Sequence, residues 1–296
     1  MVSITSILLN SKKTTFIHLH LLIGNDVKND NLEKILSLRK IKFNCKITFH
    51  NIGNNFKGWK HKKKKLTVAS FYRSIIGEIV KNISRIIYLD GDTLIYRDLT
   101  EMYKLNMTNL YFRGVHEIVS KKYDKYFKRN KFICAGVMLM NLELIRKDHF
   151  FNKFKNYYNK FHKKGKLLGD QHIINTLFQK KIGFLPPKFG MWFINEKDIQ
   201  NYINLNPLIY SEKELRESIN KPVIRHLWGI TKEGLLSEKP WLLKKYYKIK
   251  VEWNYYAKKT GYYSSICNFF KYACINLKYF FAPILILTYT YFGIPL

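Results

Sequence analysis

The chain has 296 residues, 47% of them hydrophobic, enough for one large α/β domain with an appendage or for two small domains. Its formal charge is +31, from 52 Lys and Arg against 21 Asp and Glu. Only nine of those 52 cations are Arg, and no arginine-rich or glycine-aromatic reading motif accompanies them. That excludes base-reading nucleic-acid recognition as the first expectation and leaves anionic membrane surfaces and anionic substrates.

In chain order, Val2 to Leu9 has apolar residues at helical spacing. Phe16 to Ile23 reads as a strand, Asn31 to Leu38 as a helix and Lys46 to Ile52 as a second strand. Lys60 to Lys65 is a solvated basic loop, and Leu66 to Val80 has helical spacing. A buried strand is predicted over Arg85 to Leu89, and further strands over Leu110 to Val115, Gly136 to Met140 and Pro222 to Leu227. Leu142 to Phe161 reads as one long helix and Asp170 to Phe178 as a short one. Strands alternating with helices predict an α/β sheet, whose ligands sit beyond the carboxyl ends of its strands.

The four cysteines, Cys45, Cys134, Cys267 and Cys274, form no C-x-x-C pair. They read as free thiols in a reducing compartment. No charged n-region precedes an apolar h-region, so a cytoplasmic protein is expected. After Trp241 the character changes. Leu242 to Tyr263 is dense in Lys, Tyr and Trp, and Phe280 to Leu296 is almost wholly apolar but holds Pro283 and Pro295. Such a pairing suits an element lying in a membrane interface better than a span. A tail packed back onto the domain or onto a second copy is the alternative.

The strand at Arg85 closes on Asp90-Gly91-Asp92. In extended backbone the two carboxylates project to one side, and Gly91 leaves room for a bulky anion. Two hard oxygen ligands at a strand end suit Mg²⁺ or Mn²⁺ holding a diphosphate. Asp-Gly pairs also make plain turns, so the triplet needs support from the rest of the chain.

That support is a set of five ordered segments: Ala69 to Arg73, Arg85 to Asp92, Phe132 to Asn141, Gly169 to Asn175, and His226 to Lys232 followed by Lys239-Pro240-Trp241. Together, from about Ser3 to Trp241, they resemble glycosyltransferase family 8 of the GT-A fold, the group that includes bacterial lipopolysaccharide glucosyl- and galactosyltransferases. The resemblance implies a GT-A domain over residues 1–241, with residues 242–296 as a basic, aromatic, membrane-associating region. It implies a mixed Rossmann-like sheet and retaining transfer of an α-hexose from a UDP-sugar to a glycan or glycolipid hydroxyl. By that resemblance Asp90, Asp92 and His226 hold Mn²⁺, or Mg²⁺ in its place. Arg73 clamps the donor, and Ala135 and Gly136 line the sugar pocket. Asp170 accepts from sugar hydroxyls, and Gln171 lies near the anomeric carbon. Gly229 lets a closing loop approach the diphosphate, and Lys232 places a cation on it.

Several positions depart from the family pattern. Met1 falls at about the helix that usually follows a first, base-holding strand, so a first strand is expected to be lacking. Cys134 stands where Asn is usual, and His172 where an acidic residue is common. The stretch from Gly229 to Lys239 is longer than usual. An inactive remnant acting at most as a binding protein is the alternative these departures imply.

Overall fold

A computed structural model describes residues 1–60, 68–118, 131–165, 169–191, 195–205, 209–227, 240–266 and 284–289. The strands are β1 (Ile17–Ile23), β2 (Cys45–Asn51), β3 (Arg85–Leu89), β4 (Thr93–Ile95), β5 (Phe112–His116), β6 (Ile133–Asn141), β7 (Ile182–Phe184), β8 (Ile224–His226) and β9 (Ile284–Tyr289). Seven form one mixed sheet in the order β2-β1-β9-β3-β6-β5-β7, and β4 pairs with β8 in a second, two-stranded sheet. β1 runs parallel to β2, and β5 to β7; the remaining pairs in the large sheet are antiparallel.

Side chains on β3 and β6 alternate between two cores, as the two-residue period of a strand requires. Ile87, Leu89, Val137 and Leu139 face one core, together with Ile4, Ile7 and Leu8 of the helix Val2–Asn10. Ile86, Tyr88, Met138 and Met140 face the other, against helices of residues 142–177. Helices on both faces of a mixed sheet give the expected α/β architecture.

Three predicted elements differ in form. The expected helix from Leu66 is a 3₁₀ run, Val68–Ile75, followed by one α turn, Ile76–Ile79. Arg73 Nε donates to the Ser70 carbonyl and Ser74 Oγ to that of Phe71, drawing carbonyls away from an α ladder. The long helix from Leu142 is two helices, Leu142–Lys147 and Phe150–His162. They break where His149 takes a left-handed φ of 50°, beside an Asp148 whose carboxylate is held 2.8 Å from Lys181 Nζ. In the second helix Phe150, Phe154 and Tyr158 are buried at four-residue spacing. The late strand joins the small sheet through Thr93–Ile95, an element the sequence reading missed.

The C-terminal region also differs. The helix Pro240–Lys259 packs Ile249, Trp253, Tyr256 and Ala257 against Val2, Leu94 and Leu227. Tyr96 donates a hydrogen bond to Glu252, and Asn10 to the Tyr256 hydroxyl. Among the described residues no helix is long and apolar enough to cross a membrane. Ile284–Tyr289, expected within a membrane-interface tail, is instead β9, paired on both sides between β1 and β3. An unbroken Ile-Leu-Ile-Leu run has no polar face to turn to water, and a central strand position covers both of its backbone edges.

Candidate active site

The site is built at the carboxyl end of β3. Asp90 N donates to the Gly136 carbonyl at 2.8 Å, tying the strand's exit to β6. The turn at Gly91 leads into β4, where Thr93 Oγ1 donates to the Asp90 carbonyl. Across the β4–β8 ladder Thr93 faces His226. This register carries a histidine more than 130 positions downstream to the two aspartates. Ligand atoms of Asp90, Asp92 and His226 all lie within 4.8 Å of one another.

The three residues sit in different surroundings. His226 is buried, whereas the Asp92 side chain is 44% exposed. Nε2 of His226 lies 3.3 Å from Oδ1 of Asp92 and 3.9 Å from Oδ2 of Asp90. That buried nitrogen has no hydrogen-bond partner, an arrangement that calls for a ligand. Two carboxylates and an imidazole form a donor set suited to a divalent cation, and the exposure of Asp92 leaves one side of the seat open. Burial pushes the His226 imidazole down, but Asp92 and Cys134 outweigh it and hold its pKa well above the usual histidine value. Burial raises the Asp90 carboxyl, with Arg73 opposing and Asp92 adding to the rise.

Arg73 organises the site from beneath. It is 6% exposed, and its guanidinium lies between two carboxylates. Nη2 donates to Asp90 Oδ1 at 3.0 Å and Nε contacts Asp170 Oδ2 at 3.0 Å. Nη1 donates to the Ala135 carbonyl. The guanidinium also stacks 4.6 Å above the Tyr88 ring, and the Tyr88 hydroxyl donates to Asp90 Oδ1 at 2.6 Å. Burial pulls Arg73 down, but Asp170 and Asp90 outweigh it, so its pKa is raised and it stays charged.

Asp170 is 5% exposed and opens the helix Asp170–Leu177, whose N-cap is Gly169. Gln171 is held at both ends of its amide. Oε1 accepts from Ala135 N at 2.9 Å, and Nε2 donates to Glu117 Oε2 at 2.9 Å. Gly136 lies against the histidine. A Cβ there would collide with the imidazole edge, 2.7 Å from Nε2, and stand 2.9 Å from Asp90 Oδ2. Gly91 is exposed between the aspartates. Cys134 Sγ lies 3.4 Å from Nδ1 of His226, and the His172 ring packs edge-on to Phe132.

The structure thus gathers Arg73, Asp90, Gly91, Asp92, Ala135, Gly136, Asp170, Gln171 and His226 at one strand end. Gly229 and Lys232 lie outside the described residues. Two residues went unnoticed in the sequence. Tyr88 carried a signal: a polar-tipped aromatic in a buried strand, two positions before the first aspartate. Glu117 follows the predicted strand Leu110 to Val115 as a lone carboxylate, and nothing local marks it.

The chain is similar to known proteins in sequence and fold. The description of Glycosyl transferase family 8 matches residues 1–245. General stress protein A of Bacillus subtilis is 24% identical over 267 residues, covering 86% of this chain and 87% of its own length. A Haemophilus influenzae protein described as a glycosyltransferase is 26% identical over 197 residues, covering 64% of this chain and 58% of its own. The galactosyltransferase LgtC, solved with donor and acceptor sugar analogs, has a TM-score of 0.66 at 18% identity, over 84% of this chain and 89% of LgtC. The bifunctional glycosyltransferase WbbM gives 0.66 at 17% identity, over 90% of this chain and 48% of its own. With a matching family description across most of its length, and the sheet of these structures, the chain belongs to glycosyltransferase family 8 and has the GT-A fold.

Proposed function

We propose that the protein moves an α-linked hexose, glucose or galactose, from a UDP-sugar to a hydroxyl of a lipopolysaccharide, lipooligosaccharide or related glycan, retaining the anomeric configuration. The observation that carries this reading is the convergence of Asp90, Asp92 and the buried Nε2 of His226 at the carboxyl end of β3. Those residues would hold Mn²⁺, because an imidazole ligand favours it over Mg²⁺. When bound, the ion would offset the charge that builds on the departing diphosphate.

The protein's own groups do the rest. Arg73 keeps Asp90 and Asp170 in place, and its charge opposes the rise that burial imposes on the Asp90 carboxyl. Asp170 presents acceptor capacity to sugar hydroxyls. Gln171, clamped by Ala135 and Glu117, offers a fixed amide beside the reacting carbon. Retaining glycosidases use two facing carboxylates. A front-face route, with the leaving phosphate assisting the acceptor's deprotonation, needs electrostatic support instead. Gly229 and Lys232 complete the diphosphate site in this reading.

The acceptor reading brings a location with it: the cytoplasmic face of an anionic membrane. On the helix Pro240–Lys259, Tyr247, Val251 and Tyr255 are exposed at four-residue spacing, with Lys248, Lys258 and Lys259 exposed beside them. Aromatic residues interleaved with lysines suit a headgroup layer. Sedimentation with anionic but not neutral vesicles is the expected result, and equal partition into both would remove the membrane role.

The test of the chemistry is UDP-glucose and UDP-galactose turnover with Mn²⁺, comparing wild type with Asp92→Ala. Equal turnover in the two would remove the metal from the mechanism. Absence of binding heat with UDP and Mn²⁺ at millimolar concentration would favour the inactive-remnant reading.

A further inference from the structure

Cys134 and Gly136 lie two residues apart on β6 and project on one side of it. The imidazole of His226 is wedged against this pair. Sγ of Cys134 sits 3.4 Å from Nδ1, and the space a side chain would fill at Gly136 is taken by the ring itself. On the opposite side of the ring Nε2 faces the two aspartates, buried and without a hydrogen-bond partner. Cys134 is not itself one of the residues whose ligand atoms cluster within 4.8 Å.

A neutral imidazole has one N–H and one lone pair. If the thiol donated to Nδ1, the ring proton would sit on Nε2, aimed at Asp92, and no cation could take that nitrogen. If Nδ1 donates to sulfur, the Nε2 lone pair points between the carboxylates. Only the second arrangement makes a three-ligand seat. Metal-bound histidines commonly use the second ring nitrogen in this way, to a carboxylate, a carbonyl or water.

We propose that Cys134 is a positioning residue: its sulfur accepts the Nδ1 proton of His226 and fixes the tautomer and ring angle that present Nε2 to a divalent cation. The proposal rests on the metal-dependent reading above and deepens it. It also gives the cysteine a role on the ring side of the site rather than in the sugar pocket. A thiol sulfur is a weak acceptor, but the contact at 3.4 Å lies on the ring nitrogen away from the aspartates and so bears on which nitrogen keeps the proton.

The experiment is a Mn²⁺ titration of the full chain, reading free ion by electron paramagnetic resonance, for wild type, Cys134→Ala, Cys134→Ser and Asp92→Asn. Cys134→Ala should weaken binding about 10- to 100-fold, as removal of such outer partners does. Cys134→Ser, whose hydroxyl can still accept, should stay close to wild type. With Mg²⁺ bound, nitrogen chemical shifts should place the remaining His226 proton on Nδ1. With Co²⁺ bound, no thiolate charge-transfer band should appear. Equal Mn²⁺ affinity in Cys134→Ala and wild type overturns the proposal. So does a proton on Nε2 in the Mg²⁺ form, or a sulfur-to-cobalt band, which would make Cys134 a ligand. If wild type fails to bind Mn²⁺, or Asp92→Asn binds it as well as wild type, the metal reading itself falls. If Cys134→Ala does not fold, the chemical shifts of wild type decide.

Discussion

Thr93 and His226 face each other across the antiparallel β4–β8 pair, and this pairing brings together Asp90, Asp92 and His226, a group that could hold a cation. The residue before Thr93 is Asp92, and its carbonyl accepts from Leu227 N at 2.9 Å. The backbones of the aspartate and the histidine are therefore held side by side, and the rotamers of the two side chains set the distance between their ligand atoms.

The raised pKa of His226 predicts a proton cost for metal binding. Burial lowers it, but Asp92 and Cys134 hold it well above the ordinary value, so the ring keeps its proton to higher pH than a free imidazole does. A cation must displace that proton. Affinity for Mn²⁺ should rise with pH, by up to about tenfold per pH unit for one displaced proton, until the ring deprotonates unaided. Calorimetry in two buffers of different ionisation enthalpy should report proton release close to one per ion. Release near zero would contradict the assignment.

Gly136→Ala should damage the seat more than the fold. The added methyl meets the His226 ring and the Asp90 carboxylate. Overpacking of this kind costs about 1–3 kcal/mol, visible as a lower melting temperature. Mn²⁺ affinity should fall more steeply, because the ring can relieve the clash only by leaving the aspartates. Unchanged Mn²⁺ binding in a folded Gly136→Ala protein would show that the ring has another resting place.

Glu117 is expected to matter through Gln171. Removing it leaves the Gln171 amide without the carboxylate that fixes it. A hydrogen bond to a charged partner contributes about 1.5–3 kcal/mol, so kcat/KM for Glu117→Ala should fall by roughly ten- to a hundredfold. Glu117→Gln, which keeps an acceptor oxygen, should recover part of the loss. Gln171→Ala should be impaired but retain turnover. A folded Gln171→Ala protein with none would point to a direct covalent role for the amide.

Much of this was legible in the sequence, and what was not has a common cause. Asp90, Gly91 and Asp92 are adjacent, so their geometry follows from one strand end. Asp170 and Gln171 share a first helical turn. His226 could be placed only by the order of segments, since a register between two three-residue strands has no local signature. Arg73 was expected to reach the donor, but its burial against Asp90, Asp170 and the Ala135 carbonyl depends on a 3₁₀ run that helical spacing does not reveal. The apolar stretch near the C-terminus suited a membrane interface by composition. Its pairing partners, around His20 and Tyr88, are remote from Ile286 in the chain, and periodicity cannot distinguish lipid from the centre of a sheet.

Acid should loosen the fold at the other end of the sheet. On β1 and β2, His20 Nδ1 lies 2.9 Å from His50 Nε2, and the His18 ring lies 3.9 Å from that of His20. Burial is the main reason that His18 is lowered to about 4 and His20 to about 3; Lys46 and the neighbouring imidazoles add to it. In the unfolded chain these rings titrate near 6.5. Below that value the unfolded state binds more protons, so stability falls as pH drops from about 6.5 toward about 4 and 3, and is fully present above it. Urea midpoints at pH about 7 and about 5 should show the decline, and His20→Gln should flatten it.

The placement of β9 has a consequence for biogenesis. Ile286 pairs with His20 on one side and Tyr88 on the other, so the middle of the sheet closes only after residues 284–289 have left the ribosome. Until then β1 and β3 carry open hydrogen-bonding edges, the kind of surface that captures strands from other molecules. A nascent chain therefore carries two open sheet edges until residues 284–289 emerge, and a chaperone that shields those edges would favour correct closure over capture by a neighbour.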